Sequence, residues 1–160
     1  MKTLILLRHA KSSWDFPHLI DYDRPLNSRG TRDAPKMARW LSSQALNADM
    51  IISSGADRAK KTATAFQAVL NIPVKIDDQL YHAGKSKILH VIKQTENNVN
   101  CLILVGHNPG LNDLADYILS GFPDNIPTTG IVSLQMDIKK WSEASPKTSS
   151  LQFFQYPRNL

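Results

Sequence analysis

The 160 residues, 42% of them hydrophobic and 21% charged, make an ordinary globular mixture that excludes a wholly disordered or fibrous chain and suits one domain over 1–160. A single cysteine, Cys101, rules out an internal disulfide and the CxxC zinc frameworks, and no apolar run reaches the roughly 20 residues that a membrane span needs. The balance of 19 basic against 14 acidic residues, net +5, points to an anionic partner; the basic residues are scattered, with no basic–aromatic ladder, so nucleic acid is not expected.

Leu4-Ile5-Leu6-Leu7 reads as a buried strand. Arg8 and His9 interrupt it too early for a secretory leader, and a cytoplasmic location is expected. Residues 11–27, polar and holding Pro17 and Pro25, read as a loop. Ser28 can cap a helix whose apolar stripe is Ala34, Met37, Ala38 and Leu41. Met50-Ile51-Ile52 is a second strand, ending at Ser53-Ser54-Gly55, and Ala59, Ala63, Phe66 and Leu70 define a second helix. A short strand over 74–76 follows, then a third helix around Ile88–Ile92, which Gly84-Lys85-Ser86 starts. Cys101–Val105 is the clearest buried strand. Pro109 suits the first turn of a fourth helix carrying Leu111, Leu114, Ala115, Ile118 and Leu119. Ile131–Ile138 and Leu151–Tyr156 read as final strands, the first alternating so as to leave one wet face. Strands alternating with helices predict an α/β three-layer sandwich: a mostly parallel central sheet, helices on both faces, and an antiparallel strand or hairpin near the C-terminus.

Three strands end in polar clusters: Arg8-His9, Ser53-Ser54 with Arg58 four residues on, and Gly106-His107-Asn108. Ligands of open α/β sheets bind outside the carboxyl ends of the strands, so two arginines and two histidines can converge there. Arginine forks match phosphate oxygens, and a histidine beside them can act as nucleophile or acid–base group. A metal held by the two histidines is disfavoured, because the adjacent arginines would repel the cation.

In order and context, Leu6-Leu7-Arg8-His9, Ser53-Ser54-Gly55-Ala56-Asp57-Arg58-Ala59-Lys60-Lys61-Thr62 and Val105-Gly106-His107-Asn108-Pro109 resemble the histidine phosphatase superfamily, which includes the phosphoglycerate mutases. Arg8-His9-Ala10-Lys11-Ser12-Ser13-Trp14 and Asp23-Arg24-Pro25-Leu26-Asn27-Ser28-Arg29-Gly30 look like its SixA-type phosphohistidine phosphatases, and the resemblance spans essentially the whole chain. Ala10 departs from it, standing where most of the superfamily has glycine. The resemblance implies a phosphoglycerate mutase-like fold and no cofactor. It also implies that His9 takes the phosphoryl group, that Arg8 and Arg58 bind its oxygens, and that His107 completes the pocket, supplying positive charge when protonated. Arg24, Ser12 and Trp14 are the further substrate-binding candidates. A monomer acting on a phosphohistidine protein, or on a small phosphorylated substrate, is expected.

Ester-cleaving relatives place a carboxylic acid, most often glutamate, over the leaving oxygen. Here the only glutamates are Glu96 and Glu143, neither beside a phosphate motif, and Leu80-Tyr81-His82-Ala83 holds no carboxylate. An alkoxide needs protonation to leave, whereas imidazole, titrating near pH 6.5, does not. The missing acid therefore favours a P–N substrate. Asp15, Asp21, Asp23 and His82 remain candidates that a loop could bring in. The alternatives are a phosphatase for a small ester or sugar phosphate and a non-catalytic phosphate-recognition module.

Overall fold

The computed structural model describes residues 1–160. Its elements in chain order are β1 (Lys2–Arg8), α1 (Ser28–Ser42), β2 (Met50–Ser53), α2 (Asp57–Leu70), β3 (Val74–Ile76), α3 (Lys85–Lys93), β4 (Cys101–Gly106), α4 (Gly110–Leu119), β5 (Ile131–Met136) and β6 (Ser149–Gln155). The strands form one sheet in the order β3-β2-β4-β1-β5-β6. β1 to β4 are parallel; β5 runs against β1, and β6 against β5. The α/β sandwich expected from the sequence is therefore present, with a mixed sheet. No helix is long and apolar enough to cross a membrane.

Two cores flank the sheet because neighbouring strand side chains point to opposite faces. Leu4 and Leu6 of β1 and Leu102 and Leu104 of β4 pack with Ile88, Ile92, Leu111 and Leu114 from α3 and α4. Ile5, Leu7, Ile103 and Val105 face the other way, onto Met37 and Leu41 of α1 and Ala63 and Phe66 of α2. At the far end of β1 the buried Lys2 places its ammonium on the carbonyls of Asn97 and Val99 and on Asn100 Oδ1. Its charge and donors are thereby met by oxygen, as burial requires.

Several boundaries differ from the sequence reading. Asn27, one residue before Ser28, caps α1, its Oδ1 accepting from the Gly30 N–H at 2.9 Å. Pro109 precedes the first turn of α4 instead of lying inside it. β5 ends at Met136, and its expected wet face shrinks to Gln135. Ser133 is buried and donates to Gln152 Oε1 at 2.8 Å, beside the irregularity where β6 skips one residue of register. The 11–27 segment is more ordered than a plain loop. Ser12 and Leu26 pair as an isolated bridge, and Asp21–Asp23 form a single 3₁₀ turn. α1 presses on it so closely that a Cβ on Gly30 would lie 2.2 Å from the Lys11 carbonyl oxygen.

Candidate active site

The carboxyl ends of β1, β2 and β4 lie side by side in the sheet and deliver the polar clusters to one place. A pocket of about 220 Å³ is lined by His9, Arg58, His82, His107 and Asn108. The two histidine rings are 5.0 Å apart, and both residues are buried.

The His9 Nδ1 lies 2.8 Å from the Ala10 carbonyl. A carbonyl only accepts, so Nδ1 carries the proton and the neutral ring keeps its lone pair on Nε2. Burial, then repulsion from His107, Arg58 and Arg8, pushes its pKa down to about 3, while the bond to Ala10 works in the opposite direction. His9 is thus uncharged near pH 7, the state in which a ring nitrogen can attack phosphorus. The backbone around it is fixed as well: the Ala10 N–H donates to Thr62 Oγ1 at 2.9 Å, and Thr62 donates to the Arg58 carbonyl at 2.7 Å.

His107 Nε2 and Ser54 Oγ are 2.8 Å apart. Burial and Arg58 push the His107 pKa down to about 4. His107 is expected from the sequence to supply positive charge only when protonated, and the lowered pKa leaves it neutral in the free pocket, with the positive charge on the arginines.

Arg8 Nη1 donates to the Ile126 carbonyl at 2.9 Å, while its Nε is buried without a protein partner. Arg58 gives Nη1 to the Asp21 carbonyl at 2.7 Å and Nη2 to Asp21 Oδ2 at 3.0 Å. Of the five N–H donors of a guanidinium, three remain for a ligand. Arg24 donates Nη2 to Ser12 Oγ, lies 3.6 Å from Asp21 Oδ1 through Nε, and has Nη1 buried without a partner. The Trp14 ring, 74% exposed, stacks on this guanidinium with Cζ 3.5 Å from the ring centre. Arg24, Ser12 and Trp14 thus form one connected unit beside Asp21 and Arg58.

Asp21 is the residue whose role the sequence did not single out. Besides Arg58, its Oδ2 accepts from the Tyr81 hydroxyl at 2.7 Å and faces His82 Nε2 at 3.3 Å. Burial opposes its ionisation, but the bonds from Tyr81 and Arg58 and the Arg58 charge hold the carboxyl well below the usual carboxylate range. It is a carboxylate, not a proton donor, at neutral pH. The other acid candidates, Asp15 and Asp23, make no ion pair in this cluster. Tyr81 also packs its ring against His107, at 5.6 Å between centres. Thr62 closes the second motif, whereas no local signal marked a role for Tyr81 or the Ile126 carbonyl; those two matter only because the chain folds them against the motifs.

A mixed sheet whose inner strand ends in Arg-His, with a second histidine and two further arginines close by, matches one family. The family model for the histidine phosphatase superfamily (branch 1) matches residues 4–85, and the chain belongs to that superfamily. Within it the chain is of the SixA type. It is 31% identical to an Agrobacterium tumefaciens protein that carries the name phosphohistidine phosphatase SixA, with a TM-score of 0.83 over 98% of both chains. Escherichia coli phosphohistidine phosphatase SixA is 24% identical over 84% of this chain and 85% of its own. An uncharacterized Mycobacterium tuberculosis protein is 30% identical over 95% of this chain and all of its own length.

Proposed function

We propose that the protein is a metal-independent phosphatase that uses His9 as nucleophile and acts on phosphohistidine of a signalling or phosphotransfer protein. The observation that carries the reading is the state of His9: buried, neutral, with Nδ1 committed to a carbonyl and Nε2 left as the free base beside Arg58 and His107. In the first step His9 Nε2 forms a bond to phosphorus as the bond to the substrate ring breaks; that ring, protonated on its other nitrogen, takes the electron pair of the broken bond and leaves as neutral imidazole, while His9 keeps its proton on Nδ1. In the second, water attacks the phosphorus, loses its proton to solvent, and phosphate departs as the P–Nε2 bond returns its pair to His9. Arg8 and Arg58, with Arg24 behind them, offset the charge on the equatorial oxygens, which is most of what phosphoryl transfer requires. Arg58 lines the pocket and keeps three N–H donors beyond its two bonds to Asp21, and these can take phosphoryl oxygens.

A protein substrate is supported by the surface around the pocket. Trp14, Phe16 and Ile20 are 74%, 43% and 67% exposed on the segment that carries Ser12, Asp21 and Arg24. Aromatic and apolar side chains left in water beside a site are characteristic of protein contact. SixA, the name carried by two of the relatives, belongs to phosphohistidine phosphatases.

Rapid quenching with a 32P-labelled phosphohistidine protein tests the reading. Label should appear transiently on wild-type protein, with none on His9→Ala and no turnover by it. Faster hydrolysis of a phosphoserine ester than of phosphohistidine would overturn the substrate assignment.

The second reading is an ester phosphatase, and one contact favours it. His82, in the left-handed region at φ 53°, lines the pocket with Asp21 behind its Nε2, so the pair could deliver a proton to a leaving oxygen. Under that reading His82→Gln removes ester turnover; under the first it leaves phosphohistidine turnover within about threefold, since imidazole leaves unaided.

A further inference from the structure

A second concavity, larger than the catalytic pocket, plays no part in the chemistry above. It is a groove of about 890 Å³ between α1, the 124–128 segment and the turn after β6. Arg29, Arg32 and Lys36 line it from α1 at i, i+3 and i+7, a spacing that puts them on one side of the helix. Arg158 joins them from the C-terminal turn. Asp33, only 2% exposed, lies beneath and engages Arg32 Nε at 3.0 Å and Arg29 Nε at 3.7 Å, leaving the Nη donors of both unused. Lys36 reaches only the Pro157 carbonyl, at 3.5 Å, and neither it nor Arg158 forms an ion pair.

The groove adjoins the catalytic pocket through a shared wall. Asn125, Pro127 and Thr128 line the groove, while the Ile126 carbonyl among them takes Arg8 Nη1 and Asn108 Nδ2. The Thr129 N–H, just beyond, donates to the Arg8 and His9 carbonyls at 3.0 and 3.2 Å. One short stretch of backbone therefore separates the two concavities.

We propose that this groove is a docking site for an acidic segment of the protein that carries the phosphoryl group. This rests on the phosphohistidine reading above and extends it to the partner. The 220 Å³ pocket has room for little beyond the phosphorylated side chain, so the rest of such a substrate lies outside it, and the groove is about four times as large. The lining suits a peptide better than a nucleic acid. Its four cations meet carboxylate side chains, and Asp124 on the opposite wall offers an acceptor for peptide N–H groups. A phosphodiester chain gains affinity by neutralising one phosphate per cation, and the two carboxylates in the lining work against that.

The test uses the double variant Lys36→Glu/Arg158→Glu, whose side chains are exposed and outside the catalytic pocket. Its kcat/KM is compared with wild type on free phosphohistidine and on a phosphotransfer protein bearing carboxylates within about 10 Å of its phosphohistidine, one Debye length at 0.1 M salt. The expected result is a loss of about tenfold on the protein, with a flatter salt dependence, and no change on free phosphohistidine. Equal losses on both, or none on either, overturn the docking site. If wild type hydrolyses neither compound, the functional reading fails, and the groove is judged by binding alone. Wild type should then bind a fluorescein-labelled twelve-residue Asp/Glu peptide about tenfold more tightly than the variant does. Equal binding, no binding, or tighter binding of a single-stranded oligonucleotide overturns the groove as an acidic-peptide site.

Discussion

Asp21 brings a negative charge into a site built to hold one, and its geometry explains how the two coexist. Its carbonyl and Oδ2 take one N–H from each Nη of Arg58, which orients the guanidinium without using all its donors. The same Oδ2 anchors Tyr81, whose ring backs His107. We expect Asp21→Asn to keep the fold but loosen Arg58, a hydrogen bond to a charged group being worth about 1.5–3 kcal/mol. That corresponds to a fall of about tenfold to a hundredfold in kcat/KM, larger in kcat than in KM, read from steady-state kinetics on phosphohistidine. At this scale the sequence was partly legible. Arg8, His9, Arg58 and His107 stand out because each follows a strand or opens a helix within a distinctive run. Asp21 did not stand out, because an aspartate in a proline-bearing polar loop looks the same whether it faces water or Arg58. The charge on His107 is open in the sequence for a related reason: the lowering of its pKa comes from burial and from Arg58, whose proximity no spacing reveals.

Among the elements, the start of α4 is the joint on which the pocket wall depends. A Cβ on Gly110 would lie 2.0 Å from the Ala83 carbonyl oxygen, and that oxygen is backbone, so the 81–84 segment must move to admit it. We expect Gly110→Ala to cost about 1–3 kcal/mol, measured by urea unfolding, and to disturb turnover further by displacing Tyr81 and His82. Periodicity placed the four helices and the inner strands, whose apolar stripes pack as their spacing requires, whereas Ile76 of β3 and Leu151 of β6, on the two outer strands, stay exposed. It erred where a polar residue is buried by a distant partner. Ser133 reads as the wet face of β5, yet Gln152 satisfies its hydroxyl from across the sheet, and a one-residue irregularity in β6 cannot be seen in a pattern of residue types. The displaced cap of α1 has a simpler cause, because Asn27 and Ser28 are adjacent and both have side chains able to cap.

For the whole molecule, burying uncharged histidines sets the response to acid. His9 and His107 have folded pKa values of about 3 and 4, below the 6.5 of an exposed histidine. Above pH 6.5 neither state binds these protons, and the two histidines contribute no pH dependence. Below it the unfolded chain takes them up while the folded one does not, so stability falls as pH drops from 6.5 towards 4. Asp21, its folded pKa lowered, adds a loss in the same direction at still lower pH. We expect Tm to decline steadily between pH 7 and 4 in scanning calorimetry, and His107→Gln to flatten that slope.

β1 adds a mechanical consequence. Leu4 and Leu6 are seated on one side of the sheet, Ile5 and Leu7 on the other, and Lys2 is tethered at the opposite end. Sliding the strand by a single position would exchange the occupants of both interiors at once. The tip bearing Arg8 and His9 therefore has no freedom along its own axis, and any adjustment to differently shaped donors falls to the segments that frame it, 11–27 and 124–129.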